Sequence, residues 1–320
     1  MMSLSHLKKA GDAIFIDSNV TKANEIISPW NGTNASQFSI IGVPLSKTSI
    51  SHSGASFAPA SIRKMLSSYS TYHIEDHIDL KDFQVTDFGD ITMHVTDLEE
   101  SRNRIKSTIS ELLGQYKETM PIILGGDHGI SFPSISAFSK ERGTVGVIQF
   151  DAHHDLRNIE DGGRSNGTPF RSLIDEGILK GENLVQIGIR NFSNSAPYTE
   201  FGVTNGVTIY TMRNVRELGI AKIIKDSIDH LADKVDAIYI SLDMDVLDQA
   251  FAPGCPAIGP GGMDSQTLLD GICYLASHPK VLGMDIVELD PTMDFRDMTS
   301  RIAAHVILNF LVEKVKLLNK

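Results

Sequence analysis

The strongest constraint in this sequence is the way its apolar runs end. A short apolar run stops at a charged or glycine-rich corner, and a helical pattern follows. Residues 144–150 run into Asp151-Ala152-His153-His154-Asp155, residues 236–242 into Asp243-Met244-Asp245, and residues 121–124 into Gly125-Gly126-Asp127-His128. Apolar strands without strict alternation need cover on both faces, which a parallel sheet built from β-α-β units supplies. Further strands are predicted at 38–43, 184–189, 207–210 and 281–287. Helical periodicity predicts helices at 58–69, 97–116, 134–140, 170–176, 215–231, 265–275 and 299–317.

No Pro/Ser linker, low-complexity tract or repeat divides the 320 residues, so one domain spanning 1–320 is expected. Residues 1–37 read as a peripheral N-terminal lead-in and 70–96 as an irregular excursion. A formal net charge of -11 argues against nucleic-acid and acidic-membrane partners, because phosphate contacts reward clustered Lys and Arg. It leaves room for a small anionic substrate held by a local basic group. Two cysteines, Cys255 and Cys273, are too few for a disulfide framework. The first residues lack an apolar signal core, and no apolar run is long enough to span a bilayer, so a cytoplasmic location is expected.

In open parallel sheets, functional groups gather beyond the carboxyl ends of the strands. Three loops therefore converge, bringing His128, Asp151, His153, Asp155, Asp243 and Asp245 together. A lone Asp-x-Asp or Asp-x-His is ordinarily a cap, turn or solvated loop; three of them behind strands are another matter. Two imidazoles and four carboxylates exceed one tetrahedral site and suit two divalent ions sharing carboxylates. The oxygen-rich set favours Mn²⁺, two per subunit, over a thiolate-type zinc site. His154 is out of phase with His153 and is expected to play a supporting role.

The three segments, in order, resemble the motifs of the ureohydrolase family of arginases and agmatinases. They are Gly125-Gly126-Asp127-His128, Asp151-Ala152-His153-His154-Asp155 and Ser241-Leu242-Asp243-Met244-Asp245-Val246-Leu247-Asp248, the last followed by Ala252-Pro253-Gly254. The resemblance extends from Gly54-Ala55 and Pro59-Ala60-Ser61-Ile62-Arg63 to Glu288-Leu289-Asp290-Pro291. It implies a three-layer α/β/α fold with a mostly parallel central sheet, a binuclear manganese centre and a homo-oligomer, trimer or hexamer. By that pattern Asp151 and Asp243 bridge, His128 and Asp155 complete one ion, and His153 and Asp245 the other.

Where arginases carry a His-Gly pair, this chain has Ser165-Asn166-Gly167-Thr168-Pro169-Phe170. Together with Asp155-Leu156-Arg157 and the stretch from Ile187 to Ser195, that departure resembles the formimidoylglutamase branch. The resemblance implies hydrolysis of N-formimidoyl-L-glutamate to L-glutamate and formamide in histidine degradation. A dicarboxylate substrate favours Arg forks, which places Arg157 and Arg190 among the expected substrate contacts with Asn166. Either arginine would otherwise be a structural ion pair. Glu288 matches the acidic residue that holds the cationic reacting group, and Asp155 is the expected proton acceptor. An agmatinase-like or guanidino-acid amidinohydrolase is the alternative within the family; a non-catalytic, metal-binding oligomeric protein is the alternative outside it.

Overall fold

The computed structural model describes residues 17–319. Nine strands form one sheet in the order β1-β5-β2-β6-β11-β10-β7-β8-β9. They are β1 (Ile27–Pro29), β2 (Phe38–Gly42), β5 (Val85–Asp90), β6 (Met120–Leu124), β7 (Val145–Phe150), β8 (Leu184–Ile189), β9 (Thr208–Thr211), β10 (Ala237–Asp243) and β11 (Val281–Val287). Every neighbouring pair is parallel. A separate antiparallel pair joins β3 (Tyr72–His73) to β4 (Ile78–Asp79).

Strand side chains alternate between two apolar layers, as the period of a pleated strand requires. Ile40, Ile122, Ile148 and Ile240 pack under α1 (Ala58–Leu66), α7 (Ile220–Leu231), α8 (Ser265–Ala276) and α9 (Met298–Leu318). Ile41, Ile123, Val147 and Tyr239 pack on the opposite face with α2 (Leu98–Gln115), α3 (Ser131–Arg142) and α4 (Pro169–Asp175). The result is the three-layer α/β/α sandwich. No described helix is long and apolar enough to cross a membrane.

The structure corrects several expected elements. The excursion 70–96 holds β5, a member of the main sheet, whose burial fades toward its exposed end and so hides the strand signal. The lead-in supplies edge strand β1; its first sixteen residues lie outside the described ones. The helix expected at 215–231 is two, α6 (Met212–Leu218) and α7, broken at Gly219. That residue's φ of 79° is one that glycine adopts without steric cost. A further helix, α5 (Ala196–Thr204), has no strong amphipathic signature in the sequence.

Candidate active site

Four adjacent central strands, β6, β11, β10 and β7, end on one edge and deliver the site. His128 follows β6, Glu288 follows β11, Asp243 ends β10 with Asp245 just beyond, and Asp151 to Asp155 follow β7. His128 Nδ1 lies 2.8 Å from Asp155 Oδ2, 3.1 Å from Asp151 Oδ2 and 3.2 Å from Asp243 Oδ2. His153 Nδ1 lies 3.0 Å from Asp245 Oδ2 and 3.4 Å from Asp151 Oδ1. Two groups able to hold a metal ion result: His128, Asp151, Asp155 and Asp243 in one, and Asp151, His153 and Asp245 in the other. Asp151 is common to both, while Asp243 falls in the His128 group.

The donor set demands positive charge. Burial and the charges of Asp245 and Asp151 drive Asp243 well above the usual carboxylate range. Burial and Asp151 likewise push Asp155 up to about 6. The Asp245 charge pushes His153 up to about 12, and the surrounding aspartates raise His128 although burial opposes them. Yet His128 Nδ1 is buried without a hydrogen-bond partner, despite three carboxylate oxygens around it. Such an arrangement, a ring nitrogen and carboxylate oxygens converging on one point, fits a shared cation. Asp155 holds a left-handed backbone with φ of 53°, and Glu288 does so with φ of 57°. Non-glycine residues at such angles cluster where surrounding structure over-determines a functional geometry.

Glu288 Oε1 accepts hydrogen bonds from the His128 backbone N–H at 2.8 Å and from Asn166 Nδ2 at 3.0 Å. Burial and the Asp127 charge push the Glu288 carboxyl up to about 8, against the pull of those donors. Asp127 itself is tied to Thr48, accepting its backbone N–H at 2.9 Å, and caps the turn after β6 through Gly129 N–H. Above these groups opens a cavity of about 550 Å³. Arg157, Asn166, Glu288, Asp155, His153 and Tyr198 are among the residues that line it.

The structure sorts the arginines. Arg157 reaches the cavity and makes no ion pair among the described residues. Its stem lies over Gly167, where an added Cβ would come within 2.6 Å of Arg157 Cδ. Arg190 does not line that cavity; its buried guanidinium donates to the carbonyl oxygens of Gly259, at 2.7 Å, and of Asp245. Its place is thus under the third metal-motif loop. Arg164 is paired with Glu176 and lies over the Phe132 ring, while Arg171 pairs with Asp175 and lies over Phe201.

The family model described as Arginase family matches residues 36–312. The chain belongs to the arginase family. A formimidoylglutamase of Halalkalibacterium halodurans is 60% identical over 314 residues, covering 98% of each chain. The crystal structure of formimidoylglutamase from Bacillus subtilis superposes with a TM-score of 0.94 at 51% identity, covering 96% of each chain. A Trypanosoma cruzi formiminoglutamase solved with Mn²⁺ superposes with a TM-score of 0.80 at 26% identity, over 87% of this chain and 93% of that one.

Within this arginase-family frame lies a polar tier that the sequence reading passed over. Gln186 of β8 pairs in register with Gln149 of β7, Gln149 with Ser241 of β10, and Ser241 with Asp285 of β11. All four are fully buried, one level beneath the candidate ligands. Gln149 Nε2 donates to Asp151 Oδ2 at 2.7 Å, and Gln186 Nε2 donates to Gln149 Oε1 at 2.7 Å. His154 joins this half, with Nδ1 2.6 Å from Gln186 Oε1 and Nε2 3.0 Å from Thr199 Oγ1. Its role is to support the tier. The available signal was a single polar residue inside each otherwise apolar strand.

Proposed function

We infer that this arginase-family chain is a formimidoylglutamase, a hydrolase that converts N-formimidoyl-L-glutamate and water to L-glutamate and formamide. The carrying observation is Arg157: a guanidinium without an ion pair among the described residues, in the same cavity as an acidic residue poised for a cation. The substrate has both matching ends, an amidine that is cationic when protonated and two carboxylates. Relatives at 60% and 51% identity bear that activity as their name.

His128, Asp151, Asp155 and Asp243 would hold one divalent ion, and Asp151, His153 and Asp245 the other. We take both to be Mn²⁺, the ion bound in the T. cruzi relative. When bound, the pair supplies Lewis acidity and lowers the pKa of water into the neutral range. The chain's own residues do the rest. Glu288 receives the amidinium through charge-assisted hydrogen bonds, and the cation in turn favours the ionised carboxylate that burial disfavours. Asn166 fixes Glu288 from the side. Arg157 receives a substrate carboxylate in bidentate fashion. Asp155 accepts a proton from the water that adds to the formimidoyl carbon and passes it to the glutamate nitrogen as the C–N bond breaks. An amide cannot move protons, so Asn166 orients and takes no part in transfer.

A panel of formimidoylglutamate, arginine, agmatine and guanidinobutyrate, assayed with Mn²⁺, tests this reading. Turnover confined to formimidoylglutamate supports it; preferred turnover of a guanidino compound overturns it in favour of an amidinohydrolase. No turnover and no bound metal would leave a non-catalytic protein. A trimeric or hexameric homo-oligomer belongs to the same reading and is measured by light scattering. A cytoplasmic location fits the two free cysteines, Cys255 and Cys273.

A further inference from the structure

The other half of the polar tier lies beneath His128. Asp285 sits in the middle of β11 with no solvent exposure, where an uncompensated carboxylate would be costly. Three hydroxyls compensate it: Ser131 Oγ donates to Oδ2 at 2.7 Å, Tyr239 OH to Oδ2 at 3.2 Å, and Ser241 Oγ to Oδ1 at 2.8 Å. All three of these residues are also fully buried. A serine hydroxyl has one hydrogen to give. With that hydrogen on Asp285, Ser241 Oγ faces His128 Nε2, 3.0 Å away, as an acceptor only. His128 must then carry its proton on Nε2. Its Nδ1 is then the atom whose lone pair would meet a cation held among the oxygens of Asp151, Asp155 and Asp243.

We propose that Ser241 and Asp285 are positioning residues that fix the tautomer of His128, and thereby set the affinity of the ion position His128 shares with Asp155. Without Asp285 as acceptor, the Ser241 hydroxyl is free to turn its hydrogen toward Nε2. The imidazole would then place an N–H where the cation belongs. The device is one-sided. The His153 ring, in the second group, makes no hydrogen bond or ion pair with Ser241 or Asp285, and the ring's partners are Asp245 and Asp151. The inference rests on the metal-centre reading above and adds to it which buried groups grade the two ion positions.

Calorimetric titration of the metal-free chain with manganous chloride tests it, independently of turnover. The parent chain is expected to bind two ions; a parent that binds none overturns the metal-centre reading itself. In Ser241→Ala one equivalent weakens by roughly 10- to 100-fold, the range typical of a lost ligand-orienting partner. The other equivalent stays within about threefold. Asp285→Asn weakens the same equivalent, because its amide can donate to Ser241 Oγ and reverse the hydroxyl. Tyr239→Phe removes a hydroxyl from Asp285 while leaving Ser241 in place, and binds both ions as the parent does. Unchanged binding in Ser241→Ala overturns the proposal. So does equal weakening of both ions, or equal weakening by Tyr239→Phe, since these describe a general loosening of the core. Should Ser241→Ala fail to fold, Asp285→Asn carries the same test.

Discussion

Asn166 Nδ2 donates to Glu288 Oε1 at 3.0 Å, joining two residues 122 positions apart across the mouth of the site. The contact fixes one oxygen of a buried carboxylate whose backbone already lies in the left-handed region, with φ of 57°. It also replaces, with a fixed amide, the imidazole that the sequence resemblance places here in arginases. In the proposed reaction this pair would orient the substrate at its reacting end.

Asn166→Ala is expected to free Glu288 and lower kcat/KM by roughly 10- to 100-fold, the cost of about 1.5–3 kcal/mol for a hydrogen bond to a charged group. Asn166→Asp should do worse, because it sets a second negative charge beside Glu288. Both variants should still bind two metal ions, since Asn166 touches no ligand. Steady-state kinetics together with metal content checks this, and parental kinetics in Asn166→Ala would remove the contact from catalysis.

Arg157 lines the cavity and has no ion pair among the described residues, so its removal should be felt in binding. Arg157→Ala is expected to raise KM for formimidoylglutamate by roughly 10- to 100-fold, from about 1.5–3 kcal/mol of charge-assisted hydrogen bonding. Lys in its place recovers only part, because an ammonium lacks the planar fork. Arg190→Ala should behave differently. It removes a strut under the Asp245 and Gly259 carbonyls, so thermal stability and metal retention should fall more than substrate affinity. A purely kinetic effect at Arg190 would contradict this division.

The contrast between those two arginines marks what was legible in the sequence. Both follow apolar strands close to the metal motifs, and residue type cannot tell a substrate fork from a strut. The convergence of His128, Asp151, His153, Asp155, Asp243 and Asp245 was legible because they come in short segments at strand ends, where strand period and topology fix their direction. The tier of Gln186, Gln149, Ser241 and Asp285 was not, since each residue stands alone in its strand. Only the strand order and register make them neighbours. Strand β5 escaped for a related reason: it lies near an edge, and its second half is half-exposed or exposed rather than apolar throughout.

Asp155→Asn isolates chemistry from backbone geometry. Asn tolerates the left-handed φ of 53° that Asp155 adopts, so the loop should keep its shape. The variant loses a charged ligand oxygen and the proposed proton acceptor, and turnover is expected to fall by at least about a thousandfold. Mn²⁺ affinity should fall with it. In the parent, chelation should lower Tm, because ions bound only to the folded state contribute about 2.7 kcal/mol at a hundredfold excess over Kd. That metal-dependent rise in Tm should be smaller in Asp155→Asn. Differential scanning calorimetry with and without Mn²⁺ checks it, and an identical rise in both chains would show that Asp155 is no ligand.

Lys314 offers a test of stability away from the site. It lies on α9 with 2% exposure, donates to the His278 carbonyl oxygen at 2.8 Å and has no carboxylate partner among the described residues. Burial pulls its ammonium down to about 7, whereas an unfolded lysine titrates near 10.4. Below pH 7 both states are protonated, and the folded state carries the full penalty of a buried charge. Between about 7 and 10.4 only the unfolded chain holds the proton, so rising pH stabilises the fold, by at most about 1.4 kcal/mol per unit. Lys314→Met keeps the apolar stem and removes the titration. The variant is expected to be more stable than the parent at pH 6.5, by on the order of a few kcal/mol. That advantage should shrink toward pH 9.5 as the parent lysine loses its proton. Urea unfolding of both chains across this range measures the difference, and curves that run parallel with pH would show that the lysine keeps an ordinary pKa in the folded chain.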